Sequence, residues 1–251
     1  MSAIEAVTFD LWQTLIIDER ELGRARTRRR LEGALEALTG AGYGFSFEQL
    51  QTAYRACFRT CRAIHAEEKD VTFDEQVTIF IDSIEENLYQ RLDSQVVDSI
   101  SYWYAEAFFD FPPPVAPEAY GVLEELRRRG YRLGMISNTG MTPGRLFRRY
   151  LAQHDLLDFF QTLTFSDEVR LAKPSMEMFH MTLEALGTSP EKAVHLGDHI
   201  QNDVLGANRA GMKSVLLGAA EGQVKVATPH LQIESLKELP QALETLQWNS
   251  L

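Results

Sequence analysis

A chain of 251 residues, 45% hydrophobic and 24% charged, has the length for one large or two modest domains and the composition of a folded soluble protein. Its net charge of -11 argues against nucleic acid or an anionic membrane as the main partner, although a local phosphate site stays compatible with it. No apolar run approaches transmembrane length, and Met1 to Ala6 is short and includes Glu5, so no membrane partner and a cytoplasmic location are expected.

The first element is the apolar run through Val7 and Phe9, which stops at Asp10 and suits a buried parallel strand. Asp18 to about Ala37 reads as a helix carrying the basic run Arg24 to Arg30, and Gly40, Gly42 and Gly44 break it. Ser46-Phe47-Glu48-Gln49 opens a capped helix towards Glu67. Its Cys57 and Cys61, the only cysteines, read as buried thiols and not as a disulfide framework. Thr72 opens another helix, with Val77, Phe80, Ile81, Ile84 and Leu88 along one side, and Asp93 to Phe109 forms a fourth. Asp110-Phe111-Pro112-Pro113-Pro114 is a stiff return linker.

From Pro117 the pattern alternates. Helices are expected at Pro117–Arg129, Pro143–Ala152, Ser175–Leu186, Asn202–Ala210 and Ser235–Leu246. Strands are expected at Tyr131–Ile136, Phe160–Phe165, Ala193–Leu196, Lys213–Leu217 and near Leu231–Ile233. Alternation of this kind implies an α/β fold, a Rossmann-like, mostly parallel sheet with right-handed crossovers. Residues 1-15 and 112-251 would form this core, and 16-111 an inserted α-helical cap domain.

In such sheets ligands bind beyond the carboxyl ends of the strands, which is where Asp10 falls, although a turn or capping Asp would look the same. Three further stretches accompany it: Met135-Ile136-Ser137-Asn138-Thr139-Gly140, Lys173-Pro174, and His195-Leu196-Gly197-Asp198 running on to Asp203. The order Asp, Ser, Lys, Asp/Asp resembles the haloacid dehalogenase-like hydrolase superfamily. Three acids around Lys173 would repel one another, and hard carboxylate oxygens suit Mg²⁺ as the ion that relieves this.

The resemblance implies Asp10 as a nucleophile forming an aspartyl-phosphate, and Asp10, Asp198 and the Trp12 main-chain carbonyl as Mg²⁺ ligands. It makes Asp203 a ligand or the partner that orients Lys173. Ser137 and the Asn138 amide would hold the phosphate together with Lys173, and Thr14 would stabilise the loop and site. Capping remains the alternative for Asp198 and Asp203, and an ordinary turn for Ser137.

Trp12 departs from the family's phosphatase pattern, Asp-x-Asp-x-Thr, whose second acid protonates the leaving group and activates water. The family's 2-haloacid dehalogenases also carry an aromatic residue there, but their last motif lacks the acid present here as Asp198. The expectation is a Mg²⁺-dependent phosphatase for a small phosphorylated substrate. A dehalogenase-type hydrolase and a catalytically weak member that binds a phospho-ligand or a partner are the alternatives. His199 is either a substitute acid/base or a solvated loop residue. The arginine run is either a solvated face or the donor of one guanidinium to an anionic group. Tyr102, Trp103 and Tyr104 are either cap packing or a wall against substrate.

Overall fold

Short strands that are almost wholly apolar or small do not face water on either side, and here they pair in the middle of a parallel sheet. The structure, a computed structural model, describes residues 3–220 and 222–248. Its strands are β1 (Ala6–Phe9), β2 (Arg132–Ser137), β3 (Thr162–Phe165), β4 (Ala193–Gly197), β5 (Lys213–Leu217) and β6 (Leu231–Ile233), and they lie in the order β3-β2-β1-β4-β5-β6. All pairings are parallel. Every residue of β1 and of β4 is buried. The sheet grows from β1 through β2 to β3 on one side and through β4 to β6 on the other, so the topological switch lies between β1 and β4.

Five helices in succession follow β1: α1 (Arg20–Gly40), α2 (Phe47–Ala66), α3 (Phe73–Ile84), α4 (Leu88–Arg91) and α5 (Ser94–Asp110). Two of them start where capping boxes place them. Ser46 and Gln49 exchange side-chain and backbone hydrogen bonds at 3.2 and 2.8 Å, and Thr72 and Glu75 do so at 3.3 and 2.8 Å. Leu88 does not continue α3. Asn87, left-handed at φ 56°, intervenes, and Leu88 is buried from the start of α4. Cys57 and Cys61 are both free and buried.

The chain enters and leaves this helical block side by side. Ile17 N–H donates to the Pro114 carbonyl and Ala116 N–H to the Leu15 carbonyl, each at 2.9 Å. Buried Arg30 then ties the block to the loop after β2. Its guanidinium donates to the Tyr104 carbonyl at 2.7 Å, the Tyr54 hydroxyl at 3.3 Å and Thr142 Oγ1 at 2.8 Å.

The rest of the sheet is flanked by α6 (Ala119–Arg128), α7 (Gly144–Gln153), α8 (Ser166–Val169), α9 (Met176–Leu186), α10 (Gly206–Arg209) and α11 (Leu239–Trp248). Gly130 and Gly187, at φ 87° and 62°, close α6 and α9 in the left-handed region that glycine tolerates. The expected helix Asn202–Ala210 takes a different form. A π turn runs from Ile200 to Leu205 and α10 follows it. The His199 carbonyl accepts from both Asp203 N–H at 2.8 Å and Val204 N–H at 3.4 Å, which widens the turn and directs Asp203 inward.

Candidate active site

The register of the sheet sets the site. Phe9 lies opposite Met135 on β2 and Leu196 on β4, so the ends of β1, β2 and β4 come level. Asp10 follows β1, Ser137 ends β2 and Asp198 follows β4. Asp10 N–H donates to the Leu196 carbonyl at 2.8 Å, fixing the turn beside the switch point. Beyond it, Gln13 stands in the left-handed region at φ 53°, and the Leu11 carbonyl gathers the N–H groups of Thr14, Leu15 and Ile16. This tight turn buries Thr14, whose Oγ1 has no partner among the described residues.

Lys173 sits between two acids. Its Nζ donates to Asp10 Oδ1 at 2.5 Å and to Asp203 Oδ1 at 2.6 Å, with all three side chains buried. The Asn138 side chain holds the Lys173 main chain in place: its Oδ1 accepts from Lys173 N–H at 2.8 Å and its Nδ2 donates to the Lys173 carbonyl at 3.3 Å. Carboxylate oxygens of Asp10, Asp198 and Asp203 lie within 4.8 Å of one another. Asp203 Oδ2 also accepts the His199 N–H at 2.9 Å, a bond at the start of the turn that carries it.

The electrostatics divide the acids. Burial raises the Asp10 carboxyl to about 6, against the pull of Lys173. Burial, with Asp10 and Asp203 nearby, raises Asp198 to about 7, and no other described residue donates a hydrogen bond to its carboxylate. For Asp203, burial also works upward, but Lys173 and His195 outweigh it and hold the carboxyl well below the usual range. Burial pulls the Lys173 ammonium down, and Asp10 and Asp203 together lift it to about 12. An excess of hard carboxylate over one buried ammonium fits a divalent cation, with buried Asp10 and half-buried Asp198 as the undersupplied donors. The Trp12 carbonyl is also free of described donors. Asp203 Oδ1 and Oδ2 already accept hydrogen bonds from Lys173, His195 and the His199 N–H.

His195 is the residue that the sequence pattern passes over. It is fully buried on β4, with Nε2 at 3.2 Å from Asp203 Oδ1 and Nδ1 at 2.9 Å from Thr8 Oγ1. A carboxylate only accepts, so Nε2 carries the proton and Nδ1 accepts from the Thr8 hydroxyl. Burial lowers the His195 pKa and keeps the ring neutral, against the pull of Asp203. The sequence signal is a lone polar side chain inside an apolar strand.

The other candidates separate. His199 is exposed, and its Nδ1 accepts Asn202 N–H at 3.2 Å, capping the π turn. Ser137 is buried at the end of β2, its Oγ 3.4 Å from the Asn138 carbonyl. Trp12 packs edge-on against Phe147 and Phe108, with centroids at 5.4 and 6.3 Å. The Arg26 guanidinium lies 5.8 Å from its ring and is bound to Asp18 and, at 2.8 Å, to the Phe111 carbonyl. Arg26 and Arg30 are buried, whereas Arg29 stacks on Trp103 at 3.7 Å, so the arginine run is a solvated face only in part.

Known proteins give this geometry a family. The model for the haloacid dehalogenase-like hydrolases matches residues 4–211. A phosphoserine phosphatase from Thermus thermophilus is 37% identical over 138 residues, and the chain spans only about half of that relative, 54% of each protein being covered. A glyceraldehyde 3-phosphate phosphatase from Methanopyrus kandleri is 27% identical over 218 residues, covering 84% of this chain and 83% of that enzyme. The crystal structure of a 2-haloacid dehalogenase from Pseudomonas syringae pv. Tomato superposes with a TM-score of 0.69 at 22% identity, covering 97% of this chain and 99% of that one, a likeness of fold. With the family model running from before β1 past Asp203 to the end of α10, the chain belongs to the haloacid dehalogenase-like hydrolases.

Proposed function

We propose that the chain is a Mg²⁺-dependent phosphatase that acts on a small phosphorylated metabolite through an aspartyl-phosphate on Asp10, under a helical cap formed by residues 16-111. The observation that carries this reading is the triad of carboxylates within 4.8 Å held against a single ammonium. The names of its phosphatase relatives support it.

Lys173 holds Asp10 Oδ1 and leaves Oδ2 free of side-chain donors to attack phosphorus. As the O–P bond to Asp10 forms, the bond from phosphorus to the leaving oxygen breaks. Water then attacks phosphorus and releases Asp10 as a carboxylate, splitting one hard displacement into two. Asp203 and neutral His195 keep the ammonium of Lys173 aimed at the same place. Ser137, Thr14 and the Asn138 amide would receive the phosphoryl oxygens. Mg²⁺, held by Asp10, Asp198 and the Trp12 carbonyl, would supply charge neutralisation between carboxylate and phosphate.

The test is phosphate release by malachite green across a panel of phosphate esters, with Mg²⁺ and with EDTA. Release that needs Mg²⁺ is expected. Halide release from 2-chloropropionate that survives EDTA would instead establish the dehalogenase reading, which the aromatic Trp12 favours. Inactivity on both panels would leave a ligand-binding member.

A further inference from the structure

In a chain of net charge -11, arginines that outnumber the acids around one cleft need an account. Helices α1 and α2 enclose between them a cleft of about 1100 Å³. Arg24 and Arg28 line it from α1, and Arg55 and Arg59 from α2. Each pair is spaced by one helical turn, so both members stand on the same side of their helix. Arg28 is held by Glu32 at 2.7 Å. Arg24, Arg55 and Arg59 make no ion pair and no side-chain hydrogen bond among the described residues. Like charges gathered along one cleft repel one another modestly through water, and an anion between them turns that repulsion into attraction.

The same cleft carries aromatic surface. Phe47, Tyr54 and Phe58 line it, and Phe58 is 48% exposed although its helix has a buried side available to it. Glu19, at the start of α1, makes no capping bond with its side chain and is an unused acceptor on the same wall. Asp10, Ser137, Lys173 and Asp198 take no part in the lining, and Gln13 alone represents the turn after β1.

We propose that this cleft is a second ligand site, separate from the carboxylate cluster, for a polyphosphate that bears an aromatic ring, the chemistry of a nucleoside di- or triphosphate. Paired guanidiniums match phosphate oxygens two at a time. The ring stacks on Phe58 or Tyr54, and Glu19 accepts from a sugar hydroxyl. A cleft bounded by two helices has room for one nucleotide, and the net charge of -11 on the whole chain disfavours a nucleic-acid strand. The site does not depend on the reaction proposed above.

The experiment is calorimetric titration of the full chain with ADP in EDTA, repeated on Asp10→Asn and on Arg55→Gln/Arg59→Gln. Both arginines are exposed, so the double variant should keep the wild-type circular dichroism and melting temperature. Saturable ADP binding is expected, unchanged in Asp10→Asn and weakened by about tenfold or more in the double variant, as when charge-assisted contacts are lost. Tripolyphosphate should compete, and adenosine should bind far more weakly than ADP. Absence of ADP binding at millimolar ligand, or equal binding to wild type and the double variant, overturns the proposal. Loss of binding in Asp10→Asn would assign the nucleotide to the catalytic cluster. Tripolyphosphate binding as tight as that of ADP would remove the aromatic contact and with it the nucleotide. A dimer that dissociates in the double variant, seen by light scattering, would make the cleft a contact between two copies of the chain.

Discussion

Gly197 and Asp203 touch so closely that a Cβ on Gly197 would stand 2.2 Å from Asp203 Cγ. The last residue of β4 therefore has to be glycine for Asp203 to reach Lys173. Gly197→Ala should push the carboxylate away from Nζ and leave Lys173 aimed by Asp10 alone. A displacement on the scale of an ångström costs roughly 10²-fold in turnover. Phosphate release should fall by that order while the far-ultraviolet circular dichroism stays that of the wild type. Turnover within twofold of wild type would show that Asp203 does not aim Lys173.

Asp10→Asn keeps the shape of the side chain and removes its charge. The amide is a poor nucleophile, so turnover should fall by roughly 10³-fold or more, as in other covalent sites stripped of their nucleophile. Brief incubation with a phosphate ester, followed by acid quench and mass spectrometry, should find a phosphoryl adduct on wild-type Asp10 and none on the variant. More than a few per cent of wild-type activity in a clean preparation would contradict the covalent role.

Local features of this architecture can be read from the chain alone. The capping boxes at Ser46 and Thr72 involve residues three apart, and the strands ending at Phe9 and Gly197 are apolar runs stopped by acids. Features made by distant residues cannot. Arg26 and Arg30 are buried because Asp18, Phe111, Tyr104 and Thr142 close on them, and nothing inside the run Arg24 to Arg30 separates them from their exposed neighbours. The wall around Trp12 draws Phe108 and Phe147 from two other helices. The π turn at Ile200–Leu205 follows from an Asp203 contact with His199 that helical periodicity cannot express. The role of His195 needs Thr8 on the neighbouring strand.

The acids also fix how stability depends on pH. Burial, then Asp10 and Asp203, raises the Asp198 carboxyl from the ordinary Asp range to about 7. The folded chain thus holds this proton more tightly than the unfolded chain does. Its contribution is fully present below the unfolded value and is lost as pH rises through about 7. Asp10, raised to about 6, has the same sign. Asp203 has the opposite sign, but its depressed value puts its window below that of an unperturbed Asp. The metal-free melting temperature should therefore fall by a few degrees between about pH 5 and pH 7.5 in wild type, and less in Asp198→Asn. Because Mg²⁺ requires ionised ligands, its stabilising effect should grow over the same range and vanish in Asp198→Asn. Calorimetry at a series of pH values, with and without Mg²⁺, measures both. A Mg²⁺ effect that is flat with pH, or that survives in Asp198→Asn, would remove Asp198 from the metal site.

Trp12 lies two residues after Asp10, the position of the second acid in the Asp-x-Asp-x-Thr pattern that the sequence resembles, and its ring is fixed by Phe108, Phe147 and Arg26. Indole neither gives nor takes a proton in this chemistry, so the leaving group must depart unprotonated or take its proton from elsewhere. Phosphate esters with acidic leaving groups, such as p-nitrophenyl phosphate and acyl phosphates, should then be turned over far better than alkyl phosphates. The aspartyl-phosphate should persist, since no base at this position activates water. Trp12→Asp should raise turnover of alkyl phosphates by something like 10²-fold or more if general acid–base help is what the wild type lacks. Arg26 bears on that outcome. A carboxylate introduced beside its guanidinium is favoured in the ionised form and is the weaker acid catalyst for it. Removal of the indole also takes away two edge-on aromatic contacts, each worth about 0.5–1.5 kcal/mol. The melting temperature of the variant has to be recorded beside its kinetics. The decisive measurement is a leaving-group series on wild type and Trp12→Asp under the same conditions. A steep dependence on leaving-group pKa in the wild type that flattens in the variant is expected. A flat dependence in the wild type would mean that another group already delivers the proton, and Trp12 would then be a packing residue only.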